Sequence, residues 1–413
     1  MKKIFLAAFL LFSPSLHSQV EHPFGSVPSS DIEIVESTPV GTILDNSDIR
    51  NTQKVWIEMI GSAKKSLDLE EFYVSNEPGK LLDGVLGAIY KAADRGVKVR
   101  LIVDARMYKT YPQSVDSLGQ FRNIETRRID FGKIAGGIQH SKYFIVDRKE
   151  VFVGSQNFDW RSLEHIHELG LRINNKEIAE VYGDVFDLDW RLAADTMKTE
   201  QDISIPQKEY HFPIHIFVTK GESAVITPTY SPIGFIPDSA LWDEPAIVHL
   251  INGAKHTLTL QFLSYSTRVW KGGTYSVIDN AIRNAAKRGV RVRMIVSDWE
   301  KGSEAKNGLK DLCALQNVQV AFTAIPEWSG GYISYARVEH LKYIVADDTT
   351  FWLGTANCEK SYFYSTRNLG IVGTSAALAG RLAKIFDKSW NSPYKELITP
   401  EGKYEPREHG ERK

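Results

Sequence analysis

Two stretches of this chain carry the same chemistry-bearing residues at the same spacing. His140, Lys142, Asp147, Gly154 and Asn157 recur 200 positions later as His340, Lys342, Asp347, Gly354 and Asn357. In an extended strand, residues i and i+2 point to one side, so His140 and Lys142 converge on one spot, as do His340 and Lys342. The glycine before Ser155 or Thr355 permits close backbone approach and returns Asn157 or Asn357 to that spot. Two imidazoles, two ammonium groups and two carboxamides in one place suit a phosphodiester. Its non-bridging oxygens repel nucleophiles until cations and amide donors neutralise them. Lys142, Lys342, Asn157 and Asn357 supply that neutralisation with no metal and no other cofactor. One neutral imidazole then attacks phosphorus, forming a phosphohistidine, while the other, protonated, donates to the leaving oxygen. The two roles need opposite starting protonation states and therefore differently tuned surroundings. Asp147 and Asp347 fit a tie between strand and loop better than a contact with substrate. A single His-x-Lys pair would ordinarily be a surface charge pair; duplication at fixed spacing sets this one apart.

Further repeats show what positions these residues. The segment IGSAKKSLDLEEFYVS (60–75) answers INGAKHTLTLQFLSYS (251–266), and AADRGVKVRLIVDA (92–105) answers AAKRGVRVRMIVSD (285–298). Each half reads as a strand, a helix ending at a glycine cap (Gly96 or Gly289), and a second, apolar strand. That order predicts parallel pairing with right-handed crossovers. Leu169-Gly170, Phe186-Asp187 and Trp190 also return 200 positions later, as Leu369-Gly370, Phe386-Asp387 and Trp390. Two copies are too few for a solenoid, so the expectation is a duplicated α/β domain with pseudo-two-fold symmetry.

The bulk properties agree. A chain of 413 residues fits two domains, and 43% hydrophobic with 24% charged residues excludes disordered and fibrous classes. Fifty Lys and Arg against 51 Asp and Glu argue against a protein that coats DNA by charge, while leaving room for a local basic groove. Lys2 and Lys3, the apolar run Ile4–Phe12 and the small polar stretch Ser13–Gln19 follow the order of a secretory signal peptide. The expected division is a signal peptide over 1–18, a first domain over 19–195, an ordered proline-rich connection over 196–245, a second domain over 246–398 and a mobile polar tail over 399–413. Cleavage near Ser18 would place the protein in a periplasm or outside the cell. There Cys313 and Cys358 would form one disulfide or remain two thiols.

The duplicated motif, with DWRSLEHIHELGL (159–171), ISYARVEHLKY (333–343) and IFDKSWNSPY (385–394), resembles the phospholipase D superfamily over roughly residues 50 to 395. Within it, the chain is similar to the branch of the animal lysosomal single-strand exonucleases and the poxvirus envelope phospholipase-like proteins. The resemblance implies two α/β/α sandwich domains with one active site at their interface. It implies that Glu168, 28 residues after His140, hydrogen-bonds a catalytic imidazole, and its counterpart here is Asn368, an amide rather than an acid. An amide cannot stabilise an imidazolium as a carboxylate does, so the two histidines should differ in basicity. By analogy His140 is the nucleophile and His340 the general acid.

The implied substrate is the 5′ end of single-stranded nucleic acid, with an aromatic base platform for which Tyr73, Trp160, Trp328 and Tyr362 are candidates. The alternative is a phospholipase D or phosphatidyl transferase, whose peripheral membrane contact would use an apolar rim at 228–242. A third reading, a non-catalytic envelope scaffold, is disfavoured by intact motifs. His165, His167 and Glu168 resemble the start of a zinc-protease helix motif, but position 171 is Leu where a ligand is needed.

Overall fold

The computed structural model describes residues 30–194, 204–219, 221–269 and 272–412, so the signal-peptide reading over 1–18 lies outside the described residues. The first half runs β1 (Ile32–Ser37), β2 (Arg50–Asn51), α1 (Thr52–Ser62), β3 (Ser66–Glu71), β4 (Val74–Ser75), α2 (Leu82–Asp94) and β5 (Lys98–Asp104). It continues through α3 (Ala105–Thr110), α4 (Gln113–Gly119), β6 (Ile124–Ile129), α5 (Phe131–Ile134), β7 (Lys142–Val146) and β8 (Glu150–Gly154). It closes with β9 (Phe158–Asp159), α6 (Trp160–Glu164), β10 (Glu168–Asn174) and α7 (Lys176–Leu192). The second half runs β11 (Ile214–Thr219), β12 (Glu222–Ser231), α8 (Asp243–Gly253), β13 (Thr257–Phe262), α9 (Val277–Lys287), β14 (Arg291–Ser297) and α10 (Ala305–Cys313). There follow β15 (Val318–Thr323), β16 (Tyr343–Ala346), β17 (Thr350–Gly354), α11 (Lys360–Tyr364), β18 (Asn368–Thr374), α12 (Ala376–Trp390) and β19 (Lys395–Leu397).

Local chemistry sets these elements. Helix α2 buries Leu82, Val85, Leu86, Ile89, Ala92 and Ala93 at helical spacing. It stops where Gly96 adopts φ 94°, letting the Val97 amide reach Ala92 O at 3.1 Å. The copy repeats this at Gly289, φ 93°, with Val290 bonded to Ala285 O at 3.1 Å.

The sheets are ordered β2-β1-β10-β8-β7-β3-β5-β6 and β11-β12-β18-β17-β16-β13-β14-β15-β19, with seven strands in the same order in each and different edge strands. The predicted parallel pairing holds for β3-β5-β6 and β13-β14-β15, whereas β7, β8 and β10 and their copies pair antiparallel. Alternation along β7 splits the core. Tyr143 and Ile145 enter a central cluster shared with Tyr343, Val345, α7 and α12, while Phe144 and Val146 pack with α1 and α2. On the far side, Ile344 and Ala346 pack with α8 and α9. Helices therefore cover both sides of each sheet. The central cluster joins the halves, and truncating a fully buried member such as Ile145 to Ala costs about 2–5 kcal/mol. Across the same seam, Arg367 grips Asp189 with two bonds of 2.6 and 2.7 Å, both side chains fully buried.

Three sequence expectations change. Segment 196–245 is more than a connection, because β11 and β12 belong to the second sheet and β12 pairs with β18 from Val225 to Ser231. Pro228 lies within that strand, and a proline inside an apolar run hides a strand from sequence reading. The stretch 228–242 forms no exposed apolar rim, since Tyr230, Ile236 and Leu241 are buried in the central cluster. The tail beyond 399 is anchored rather than mobile: Arg407 pairs with buried Asp298 at 3.1 Å, and Tyr404 packs edge-on against Phe322. Its polarity was the only local signal, and its partners lie some 100 residues earlier. Cys313 and Cys358 are both free thiols.

Candidate active site

The two motifs meet where the halves meet. His140 and His340 lie two and three positions before the first residues of β7 and β16, and bridges Gln139–Arg367 and Glu339–His167 zip each motif to the other half. The His140 amide bonds to Arg367 O at 3.0 Å and the His340 amide to His167 O at 2.9 Å. Each imidazole is then held by the opposite half. His340 Nδ1 lies 2.9 Å from Glu168 Oε2, and His140 Nδ1 lies 3.0 Å from Asn368 Oδ1.

These contacts fix the tautomers. Ionised, Glu168 can only accept, so His340 Nδ1 carries the proton. Asn368 Nδ2 donates to the carbonyls of Tyr362 and Thr366 at 3.0 and 3.2 Å, which leaves its oxygen to accept from His140 Nδ1 and from Thr355 Oγ1. Both Nε2 atoms are therefore free to act on substrate. Ser162 Oγ donates to Glu168 Oε1 at 2.7 Å and accepts from the Asn157 amide at 3.1 Å, linking the carboxylate to the motif turn. Ser155 and Thr355 accept the amides of Leu169 and Leu369, both at 3.1 Å. The motif glycines permit this packing. A Cβ on Gly154 would sit 2.7 Å from Gly170 Cα, and one on Gly354 3.0 Å from Gly370 Cα.

The lysines turn inward. Lys142 Nζ donates to His140 O at 2.6 Å, Lys342 Nζ donates to His340 O, and each residue is 1% exposed. Burial pushes the Lys342 ammonium down to about 7 while Glu168 opposes the shift. Burial and the neighbouring Lys342 push Lys142 well below its ordinary value. Burial first, and the two ammonium groups next, hold both imidazoles well below the ordinary histidine range. Burial raises the Glu168 carboxyl to about 7 against the pull of both lysines. The pocket thus gathers four groups whose charged forms are disfavoured by burial and mutual repulsion and would be favoured by an anion among them.

Asp147 and Asp347 sit away from this chemistry. Asp147, at φ 51°, accepts from the amides of Lys64, Lys65 and Ser66, and Asp347, at φ 53°, accepts from those of Lys255, His256 and Thr257. Each fastens its motif hairpin to the turn before β3 or β13.

The aromatic candidates divide. Tyr362 stands edge-on to His140 at 5.1 Å and its hydroxyl accepts from Asn357 Nδ2 at 3.0 Å, so it lines the site. Tyr73 is buried with its hydroxyl on Asp159, and Trp160 and Trp328 pack around the His165 ring. His167 lies between Glu36, at 2.9 Å, and Glu339, at 3.8 Å.

Two residues escaped sequence reading. The Phe72 ring lies 5.0 Å from the His140 ring and 4.9 Å from Lys142 Nζ. Glu71, 1% exposed, faces Lys142 across the β3–β7 ladder, and burial pushes its carboxyl well up. The usable signal was divergence between copies, since the corresponding residues are Phe262 and Leu263.

Comparison with known proteins places this geometry. The family model described as "Cardiolipin synthase, PLD-like domain" matches residues 56–190 and 247–390, one match per half. The chain is 30% identical to phospholipase D Z of Dictyostelium discoideum over 89% of this chain and 91% of that one. It is 29% identical to the virion nicking-joining enzyme of vaccinia virus (strain Western Reserve), covering 89% of each. It is 28% identical to the rat 5′-3′ exonuclease PLD3, covering 93% of this chain and 83% of that one. With both motifs intact and each imidazole held across the seam, this chain belongs to the phospholipase D superfamily and is a phosphodiesterase.

Proposed function

We propose that the protein is an exonuclease acting on the 5′ ends of single-stranded nucleic acid through a phosphohistidine on His140. The observation that carries the catalytic part is the unequal support of two otherwise matched imidazoles, a carboxylate behind His340 and an amide behind His140. The carboxylate favours the imidazole that must carry positive charge, so His340 is the general acid and base. The amide leaves His140 neutral, as a nucleophile must be.

The entering phosphodiester offsets the charge of Lys142 and Lys342 and so raises His340 toward protonation. His140 Nε2 attacks phosphorus, the bond to the leaving oxygen breaks, and His340 Nε2–H supplies that oxygen's proton. A water then gives its proton to His340 and attacks phosphorus, breaking the P–N bond and restoring His140. The lysines, with the amides of Asn157 and Asn357, balance the charge that builds on the equatorial oxygens, so the step is proposed without a metal.

For the substrate, support comes from relatives named a 5′-3′ exonuclease and a virion nicking-joining enzyme, and from the burial of 228–242, which removes the candidate apolar rim there. The phospholipase reading keeps the support of three relatives, 29–30% identical, whose names include phospholipase D. The test incubates the protein in EDTA with a 5′-hydroxyl fluorescent oligonucleotide and, separately, with phosphatidylcholine vesicles plus ethanol. A shortening ladder without phosphatidylethanol is the expected result. Phosphatidylethanol alone would select the lipid enzyme, and loss of turnover on chelation would refute the metal-free mechanism.

A further inference from the structure

A second group of cationic side chains lies where the C-terminal tail crosses the loop leading into the second motif. A cavity of about 180 Å³ opens there, lined by Arg337, Arg407, His409 and Arg412. Arg337 is 4% exposed and, among the described residues, has no carboxylate partner. Its Nε and Nη1 donate to the carbonyls of Pro326 and Val40 at 2.8 and 2.9 Å, and its Nη2 has no hydrogen-bond partner among the described residues. Buried charges are ordinarily paired. Here the nearby carboxylates are already engaged. Asp298 is held by Arg407 at 3.1 Å with His409 at 3.5 Å, and Glu327 and Glu408, which also line the cavity, both pair with Arg412.

The backbone adds a second, independent observation. Arg337 adopts φ 57° and Tyr335 φ 56°, a left-handed conformation that side-chain-bearing residues rarely keep without compensation. The stretch 200 positions earlier, Ala135-Gly136-Gly137, carries glycines where the second half has Ala336 and Arg337. The second half thus holds a guanidinium at a strained position beside a polar cavity that faces a second guanidinium.

We propose that this cavity binds a phosphate-class oxyanion, gripped by Arg337 with Arg407 and Arg412. Guanidinium groups match such oxygens with paired donors. At about 30 Å³ per liquid water, the space has room for a tetrahedral anion together with several waters. His409, pushed down to about 4 by burial and then by Arg407 and Lys301, is neutral and adds no charge of its own. The oxyanion has two possible sources, a further phosphate of a bound strand or free inorganic phosphate. Arg337 lies three positions before His340, a backbone reach of at most about 11 Å. The strand source rests on the nuclease reading; the binding of an oxyanion does not.

Equilibrium dialysis of the full chain against radiolabelled inorganic phosphate tests it. Two sites are expected in the wild type, one catalytic and one here, falling to one in Arg337→Gln. Arg412→Gln, at the exposed edge of the cavity, covers the case in which Arg337→Gln misfolds, and should weaken the second site about tenfold. A single site in the wild type, or two unchanged sites in folded Arg412→Gln, overturns the proposal. To separate the sources, KM is compared for a dinucleotide and an octanucleotide in Arg412→Gln. A rise for the octanucleotide alone identifies a strand phosphate, and equal KM values with the dialysis loss identify free phosphate. Failure of wild type on every oligonucleotide would sink the nuclease reading and leave the dialysis result standing.

Discussion

Replacing Glu168 by Gln isolates the asymmetry on which the assignment of the two histidines depends. The side chain is fully buried, its Oε2 is 2.9 Å from His340 Nδ1 and its Oε1 takes the Ser162 hydroxyl. Gln preserves shape and the Ser162 contact but removes the charge facing the imidazolium that forms during turnover. At a charge separation of about 4 Å and an effective dielectric of about 20, that attraction is about 4 kcal/mol. The expected loss in kcat is therefore about a thousandfold. Lys342 also loses the carboxylate that holds its ammonium up at about 7, so it should lose its charge at lower pH and KM should already rise below pH 7. In the wild type, Glu168 at about 7 loses its charge as pH falls and Lys342 at about 7 loses its charge as pH rises. The profile of kcat/KM should accordingly be a bell centred near 7, titrating as a coupled pair, and Glu168→Gln should lack the acid limb. Steady-state kinetics on an oligonucleotide and on a p-nitrophenyl phosphodiester would measure both. A good leaving group needs less protonation, so the loss should shrink on the second substrate if His340 is the acid. A kcat within tenfold of wild type, or an intact acid limb, would refute the reasoning.

Other perturbations separate catalytic from structural roles. His167, raised to about 9 against burial by the Glu339 and Glu36 carboxylates, 3.8 and 2.9 Å from its ring nitrogens, contributes stability fully present below pH 6.5 and lost as pH rises through 9. Thermal melts of His167→Gln should therefore fall furthest below wild type near pH 6 and converge by pH 10, and a gap independent of pH would contradict this. Asp147→Asn weakens the bonds to three backbone amides and should lower stability by about 1–2 kcal/mol while kcat stays within a few-fold. A thousandfold kinetic loss there would move Asp147 into the chemistry. Arg367→Met strands a buried carboxylate and should cost about 3–5 kcal/mol in denaturant unfolding, with Arg367→Met/Asp189→Leu recovering most of it. Without that recovery, the ion pair is not what Arg367 contributes.

The sequence disclosed whatever was local or repeated. The His-x-Lys spacing, the glycine caps at Gly96 and Gly289 and the duplicated strand–helix–strand units all follow from short-range periodicity, and each appears in the fold. Contacts between residues far apart in sequence were not legible. Asp298 gave no sign that it would receive Arg407, so the tail read as loose when it is pinned. Pro228 masked β12, although a proline tolerates a strand position where its missing amide is not needed. Glu168 and Asn368 were legible as an unequal pair. That each serves the imidazole of the other half followed only from the strands crossing at the seam.

That crossing explains why the duplication yields one active site rather than two. Beneath the first motif, Gln139 Nε2 donates to Glu70, whose other oxygen takes the Tyr143 hydroxyl at 2.7 Å. Beneath the second, the acid and the amide have exchanged places: Gln261 takes the Tyr343 hydroxyl at 2.8 Å and bonds to Glu339. Each half's buried acids meet a cation from across the seam: Arg367 pairs with Asp189 beside Glu70, and His167 lies 3.8 Å from Glu339. Those two cations immediately precede Asn368 and Glu168, the residues that hold the opposite imidazoles. Charge balance and imidazole orientation therefore travel on the same pair of strands. A half on its own would bury a carboxylate without its cation and leave its histidine without an orienting partner, so folding and catalysis depend on one interface for one set of reasons.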